Sequence, residues 1–269
     1  MVRSLLCSFV MRALILASAW LLSTSLLACG SSSSGDSVTG TEYDDVAQNV
    51  GTTTASKSGG GDVNAMADVV VMAGGTLPLG FTAGTGGAVS GSLLGIDYNF
   101  QLVCRNGDGA TLPVCNTNAD LADVSISWGG TLALPNVMTT MDRQGQWSLA
   151  NIQESSVKLA GNGTFSYDWA ITNPATNITA AYHLDYAAAY MSVFIDKASL
   201  LATAGEIEYD IQATKSVTGE TPRFFSVVAD VHFNGDGTAT IELDGTHDYT
   251  LELATGVVTS ATYAAVVSR

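Results

Sequence analysis

Charged side chains are scarce in this sequence, at 13% of 269 residues, and proline occurs only 5 times against 28 glycines. Basic residues are few as well, with 10 Lys and Arg against 25 Asp and Glu and a net charge of −15. Because contacts with phosphates depend on Lys and Arg, this balance argues against nucleic acid as a partner. Hydrophobic residues still make up 46%, which is enough for a folded core and excludes a chain that is disordered throughout.

The N-terminal segment has the pattern of an export signal. Arg3 and Arg12 precede an apolar run at 13–27, which is typical of a signal-peptide core and short for a membrane span. The run ends in Leu-Leu-Ala-Cys-Gly at 26–30, a string that resembles the lipobox of bacterial lipoproteins. The resemblance covers the signal peptide alone and implies cleavage after residue 28, acylation of Cys29 with palmitate-like chains, and a lipid-anchored place in the cell envelope. An ordinary secretory signal with a coincidental cysteine is the alternative.

Two details refine this interpretation. The segment that begins at Met11 is a complete signal peptide of its own, so translation is expected to start there rather than at Met1. In lipoproteins of enteric type, an Asp directly after the lipidated cysteine retains the protein at the inner membrane. Gly30 occupies that position in this chain, which favours the outer membrane.

Composition divides the rest of the chain into three parts. Residues 29–61 are rich in Gly, Ser and Thr and are expected to form a flexible tether with a short helix from Thr41 to about Gly51. Apolar residues at helical spacing predict an amphipathic helix over 62–75, with Asp62 as its N-cap. Residues 76–269 are expected to form the folded body.

That body has the features of an antiparallel sheet. Segments rich in Val, Ile, Thr, Tyr and Phe recur about every eight to twelve residues, separated by Gly, Asn and Asp. Each segment alternates apolar and polar residues, as in a sheet with one buried face. We therefore predict an all-β fold, an antiparallel meander of about twelve to fifteen strands that forms a sandwich or an open barrel. The residues expected to face the core in the C-terminal third are Phe225, Val227, Ala229, Val231, Phe233, Ala239, Ile241, Leu243, Tyr249, Leu251 and Leu253.

The turns constrain how these strands pair. Phe233 and Ala239 must lie on the same face, so an odd number of residues has to join them. Ile241 must likewise match Tyr249, which requires an odd loop around Asp244 and excludes a two-residue Asp-Gly turn. The register of the last three strands is therefore predicted.

Cys104 and Cys115 are the only cysteines of the exported body, and they flank an Asn-Gly-Asp-Gly sequence at 106–109. In an oxidising compartment, two thiols at this spacing favour a disulfide; a two-cysteine metal site would lack a nearby histidine. The same four residues recur at 234–237. Neither copy has the carboxylates that a calcium loop needs at its first and last positions, so both are interpreted as turns.

Each of the three histidines has a carboxylate close in sequence. The pairs are His183 with Asp185, His232 with Asp230, and His247 with Asp248. On a strand, residues two apart project from the same face, and such a carboxylate could orient an imidazole for general-base catalysis. The same pairs arise on any acidic sheet face, and no Gly-x-Ser-x-Gly motif or metal-ligand spacing accompanies them. We therefore assign no catalytic, cofactor-binding or metal-binding residue.

Aromatic residues are candidates for a binding surface, since exposed rings stack on sugars or line apolar pockets. Packing within the core is the favoured interpretation for them. The residues concerned are Trp128, Trp147, Tyr167, Trp169, Tyr182, Tyr186 and Tyr190.

Taken together, these patterns predict a non-enzymatic protein of the cell envelope, held at the membrane through Cys29 and without a cofactor. Its β body is expected to bind a ligand such as a lipid or glycan, or another envelope protein. The alternative is an envelope hydrolase that acts on glycan or lipid through one of the His/Asp pairs.

Overall fold

The computed structural model describes residues 35–55, 60–93, 95–134, 137–173, 175 and 177–260. The predictions made for Cys29 and Met11 lie outside these residues. Within them, two helices precede a large antiparallel sheet: α1, Gly40–Thr54, and α2, Asp62–Ala73. No helix in the described part of the chain is long and apolar enough to cross a membrane.

Helix α1 lies within the segment 29–61, for which a flexible tether with a short helix was predicted. It begins at Gly40 and continues to Thr54, beyond the expected end near Gly51. Val46 and Val50 are fully buried against the sheet. These two valines lie four residues apart and form an apolar stripe on one face of the helix. The many Gly and Thr residues around them hid this stripe in the composition.

Helix α2 matches the predicted amphipathic helix, but its start differs in detail. Gly61 occupies the N-cap position, and Asp62 is the first residue of the helix. The Asp62 carboxylate therefore does not cap the helix. It is completely buried and points into the core.

In the described part of the chain, twelve strands follow in a single sheet. They are β1 (Phe81–Ala83), β2 (Ala88–Leu93), β3 (Ile96–Arg105), β4 (Leu121–Leu134), β5 (Val137–Ala150), β6 (Ser156–Asn173), β7 (Ile178–Asp196), β8 (Ala202–Val217), β9 (Arg223–Phe233), β10 (Thr238–Leu243), β11 (His247–Glu252) and β12 (Val258–Ser260). Their order in the sheet is their order in the chain, and every neighbouring pair is antiparallel. The predicted all-β meander is confirmed, as one open sheet rather than the two sheets of a sandwich.

The predicted register at the C-terminal end is confirmed. Phe233 pairs with Ala239, and the Asn-Gly-Asp-Gly sequence at 234–237 forms the turn between them. Ile241 pairs with Tyr249 across a three-residue loop. All the residues expected to face the core there are buried, with exposures of 8% or less.

The core lies between one face of the sheet and the two helices. Tyr, Trp and Phe side chains fill much of it and contact one another from strand to strand. Gly145 on β5 pairs in register with Gly163 on the neighbouring strand β6. A Cβ atom at Gly145 would lie 2.6 Å from a backbone oxygen of β6. The close approach of these strands therefore requires glycine at this position.

The predicted disulfide is confirmed. Cys104 lies at the end of β3, and Cys115 lies in the following loop, with 5.3 Å between their Cα atoms. Cys104 is buried in the core, so the bond fastens the β3–β4 loop to the end of the sheet.

Candidate binding groove and the buried ion pair beneath it

The exposed face of the sheet carries a row of aligned side chains that crosses eight strands. Each member is the register partner of the next, all are exposed, and most are short and polar. With strands spaced about 4.8 Å apart, the row is about 34 Å long. From β2 to β9 it consists of Ser90, Asn99, Ser127, Gln144, Thr164, Ala187, Asp210 and Val228.

A second outward row lies beside the first over β5 to β9. Together with Asp244, the two rows line a depression of about 770 Å³. Two shallower depressions, of about 540 and 370 Å³, continue it towards β2 and share Gln144 and Ser127 with their neighbours. We call the three together the outer groove. The second row consists of Asp142, Ser166, Asp185, Gln212 and Ser226.

All the charged side chains that line the largest depression are aspartates: Asp142, Asp185, Asp210 and Asp244. Asp244 is fixed by hydrogen bonds from the Tyr43 hydroxyl and from the backbone N–H of Val228, both at 2.8 Å. Asp142 and Asp210 have no hydrogen-bonding partner among the described residues. Asp185 contacts His183, but the depression has no Lys or Arg among its described lining residues, so its carboxylates create a negative potential that attracts cations.

His183 lies beside the outer groove on β7. Its Nδ1 is 2.7 Å from Asp168 and its Nε2 is 3.2 Å from Asp185. The hydrogen bond to Asp168 raises the pKa of His183 above its ordinary value, and Asp185 acts in the same direction. Because a carboxylate occupies each ring nitrogen, this histidine has no free nitrogen with which to accept a proton from a substrate.

The other two predicted pairs do not form. His232 contacts Glu206 on the neighbouring strand, at 3.3 Å, rather than Asp230. His247 stacks on Tyr43, and its Nδ1 lies 2.9 Å from the hydroxyl of the adjacent Thr246. Among the described residues, none of these contacts joins a carboxylate, an imidazole and a hydroxyl into one relay.

Directly beneath the groove, Arg143 points into the core between the two outward residues that flank it on β5. Its guanidinium forms a salt bridge with Asp62 at the start of α2, and the two side chains are 2% and 0% exposed. The guanidinium also lies 4.0 Å from the ring centre of Phe165 and 5.0 Å from that of Trp128. Buried charges of this kind are tolerated only when they are paired and hydrogen-bonded.

Two tyrosines complete the network around Asp62. The hydroxyls of Tyr209 and Tyr190 donate hydrogen bonds to its two carboxylate oxygens, at 2.6 and 3.1 Å. Burial raises the pKa of Asp62, while the charge of Arg143 and these hydrogen bonds oppose the shift. Burial alone would lower the pKa of Arg143, but the Asp62 carboxylate together with Tyr190 and Tyr209 outweighs this effect and raises that pKa. The network ties α2 to strands β5, β7 and β8.

Six of the seven aromatic residues considered for a binding surface are buried on the core face. Trp169 is partly buried and packs beside Tyr182. The packing interpretation is therefore correct for this set, and the outer groove has no aromatic side chain on its described surface.

Comparisons with protein-family models, with curated proteins and with solved structures found no match. The groove is therefore interpreted from its own chemistry.

Sequence reasoning did not identify the groove or the ion pair. Both depend on which strands are neighbours and in which register, because the groove aspartates are spread from residue 142 to residue 244. One signal was present. In the sequence Asp142-Arg143-Gln144, period-two alternation places a lone arginine on the buried face, and such a residue needs a buried acidic partner.

Proposed function

We propose that this protein is a lipid-anchored binding module of the cell envelope, which takes a positively charged segment of another protein into its outer groove. The observation that carries the proposal is the groove itself: an open depression of about 770 Å³ whose charged lining residues are all aspartates. It spans five strands, or about 19 Å, which matches an extended segment of about six residues.

The interior of the fold supports a site on the outer surface. Aromatic and aliphatic side chains fill the space between the sheet and the helices. The cavity beside Arg143 and Trp128 measures about 20 Å³, the space of about one water molecule. An acyl chain therefore has no room at this point, which argues against lipid carriage inside the fold.

The lining of the groove favours a protein partner over a glycan. Sugar-binding surfaces commonly offer an aromatic ring on which a sugar stacks. The rings of Phe165 and Tyr186, which lie below the groove, are buried on the opposite face. A segment with Lys or Arg would pair with Asp142 and Asp210, the two carboxylates without partners, and its backbone would bond to the Ser, Thr and Gln side chains.

The hydrolase alternative has one observation in its favour, the contact of His183 with two aspartates at the edge of the groove. An imidazole between two carboxylates is better suited to carry a positive charge than to act as a general base. We therefore propose a binding role for this histidine, in which it fixes the position of Asp185.

The groove can be tested with titration calorimetry and a six-residue peptide of alternating Lys and Ser. We expect the peptide to bind the purified protein and to bind more weakly as salt is added, since salt screens charge interactions. Asp210→Lys should abolish binding. Asp248→Lys, which makes the same change on an exposed position of β11 outside the groove, should leave it intact. Equal loss in both variants would show that only net charge matters and would refute the site.

The anchor is tested separately. Mass spectrometry of the protein from its native envelope should find Cys29 at the N-terminus with a thioether-linked diacylglycerol. Two or three acyl chains suffice for stable anchoring, and Cys29→Ser should prevent both lipidation and the associated cleavage. An unmodified Cys29 in the mature protein would disprove the anchor.

A further inference from the structure

The chain joins the folded body at one defined end of the sheet. The backbone N–H of Asp36 donates to the carbonyl of Phe224 at 2.7 Å, and Arg223 donates to the carbonyl of Ser37 at 2.7 Å. These contacts lie at the start of β9. We call this end of the sheet, where β3, β5, β7, β9 and β11 begin, the tether end.

Two hairpins at the tether end contain no Asp, Glu, Lys, Arg or His. Residues 125–141 include the β4–β5 hairpin, and residues 169–182 include the connection between β6 and β7. These hairpins belong to the four strands β4 to β7, which extend past the β2–β3 turn at this end. The other connections at this end do carry charge: Glu220 lies between β8 and β9, beside the tether, and Asp244 lies between β10 and β11.

The opposite end is different. Four of its connections carry charged residues: Asp108 after β3, Glu154 after β5, Lys197 after β7 and Asp236 after β9. The two ends of the same strands therefore differ in polarity. Moving charges out of water is costly, so the two charge-free hairpins of the tether end can approach an apolar phase without that penalty.

Apolar side chains are exposed at the tether end. Phe224 is 58% exposed, Leu93 is 46% exposed and Ile178 is 45% exposed. They lie on three different strands rather than in one patch, and they are not level, because Phe224 aligns in register with His183, five residues along β7 from Ile178. Ile178, the first residue of β7, lies farthest out of the three and belongs to a charge-free hairpin.

Chain length restricts where this end can lie. Gly35, the first described residue, lies six positions after Cys29, and six steps of extended chain reach about 20 Å. The longest strand, β7 with 19 residues, is about 60 Å long. A lipid on Cys29 would therefore hold the tether end close to the bilayer.

We propose that the tether end of the sheet rests on the bilayer surface, with Ile178 inserted among the lipid headgroups. The proposal depends on lipidation of Cys29, the anchor in the proposed function. In this orientation the strands stand upright on the membrane and the outer groove faces sideways, where a partner in the adjoining aqueous compartment can reach it.

The experiment uses the full lipidated protein in phosphatidylcholine vesicles that contain doxyl-labelled lipid. With Cys29 acylated and Cys104 bonded to Cys115, the thiol introduced by Ile178→Cys is the one free thiol of the mature chain. It is labelled with an environment-sensitive fluorophore. We expect its emission to shift to shorter wavelength on vesicle binding and to be quenched by the doxyl lipid.

Val257→Cys and Met191→Cys are the matched controls. Val257 is 53% exposed and Met191 is 42% exposed, and both lie towards the opposite end of the strands. Neither label should be quenched. Vesicle flotation of all three labelled proteins with equal quenching at every position, or with none at 178, would overturn the orientation. Failure of the lipidated protein to float with vesicles would instead refute the anchor, and the orientation with it.

Discussion

Asp62 and Arg143 form an ion pair in which both side chains are almost completely buried, between the first residue of α2 and the middle of β5. Two tyrosine hydroxyls bond to the same carboxylate. The pair fixes the helix to the core face directly beneath the outer groove. The ion pair and the two tyrosines therefore connect the packing of the core to the shape of the outer groove above it.

Arg143→Met should lower the free energy of unfolding by about 3–5 kcal/mol, because it leaves the Asp62 carboxylate buried without a counter-charge. Urea unfolding followed by tryptophan fluorescence measures this. The control is Arg105→Met, which removes a salt bridge to Asp123 whose side chains are 34% and 52% exposed. That exposed pair should contribute no more than about 1 kcal/mol. Similar losses of unfolding free energy in both variants would show that the buried pair stabilises the protein no more than an exposed one.

Asp68→Asn should stabilise the protein at neutral and alkaline pH. Burial raises the pKa of Asp68 to about 6, so the ionised form is disfavoured in the folded state at higher pH. Asn keeps the neighbouring Asn64 side chain within hydrogen-bonding reach without the charge. We expect a gain on the order of 1–2 kcal/mol near pH 8, reduced from the full pKa shift because the side chain is partly exposed.

The gain should decrease as pH falls through about 6 and vanish below the ordinary pKa of Asp, about 4. Urea unfolding of both proteins at several pH values gives the curve. A gain that does not change with pH would show that Asp68 is not the group responsible.

His183 should titrate above its ordinary pKa because the carboxylates of Asp168 and Asp185 favour its charged form. A histidine whose pKa is raised on folding stabilises the protein below its unfolded pKa of about 6.5, and this contribution is lost as pH rises through the folded value. His183→Gln should therefore lower Tm more at about pH 5.5 than at about pH 8.5. Titration by NMR should show the His183 pKa falling in Asp168→Asn. An unchanged pKa in that variant would contradict the assigned cause.

Loss of the Cys104–Cys115 bond should cost about 2–3 kcal/mol, because the bond restricts a loop of about a dozen residues in the unfolded chain. The double variant Cys104→Ser with Cys115→Ser can be compared with the oxidised protein by urea unfolding. Mass spectrometry after alkylation without reductant should find neither cysteine labelled. Labelling of both in protein from the native envelope would show that the bond does not form there.

The sequence was most informative where the residue pattern within one strand shows which face of that strand is buried. Alternation from Phe225 to Phe233 identified the buried face correctly. Keeping the apolar residues of the next strands on that face required a loop with an odd number of residues, and this gave the pairing of Ile241 with Tyr249. These predictions succeed because side-chain direction in a strand has a period of two and hairpin register depends on local loop length. Both are properties of short stretches of chain.

The packing of helix α1 against the sheet could not be predicted from its local sequence. The sequence predicted a short helix within a flexible tether, yet Val46 and Val50 are buried against the sheet. Gly and Thr are weak helix formers, so an isolated segment of this kind has little tendency to form a helix. Burial of its apolar stripe against the sheet supplies the stabilisation that the local sequence lacks.

The sequence by itself determined the strand faces, the C-terminal register and the disulfide, because each depends on residues close together in the chain. Only the tertiary structure decided that the strands form one open sheet, that Asp62 meets Arg143, and that Asp142, Asp185, Asp210 and Asp244 share one groove. The carboxylates of the groove come from separate strands, and nothing in the neighbourhood of any one of them specifies the others. Their proximity follows from the order and stagger of five strands, which the packed core fixes as a whole.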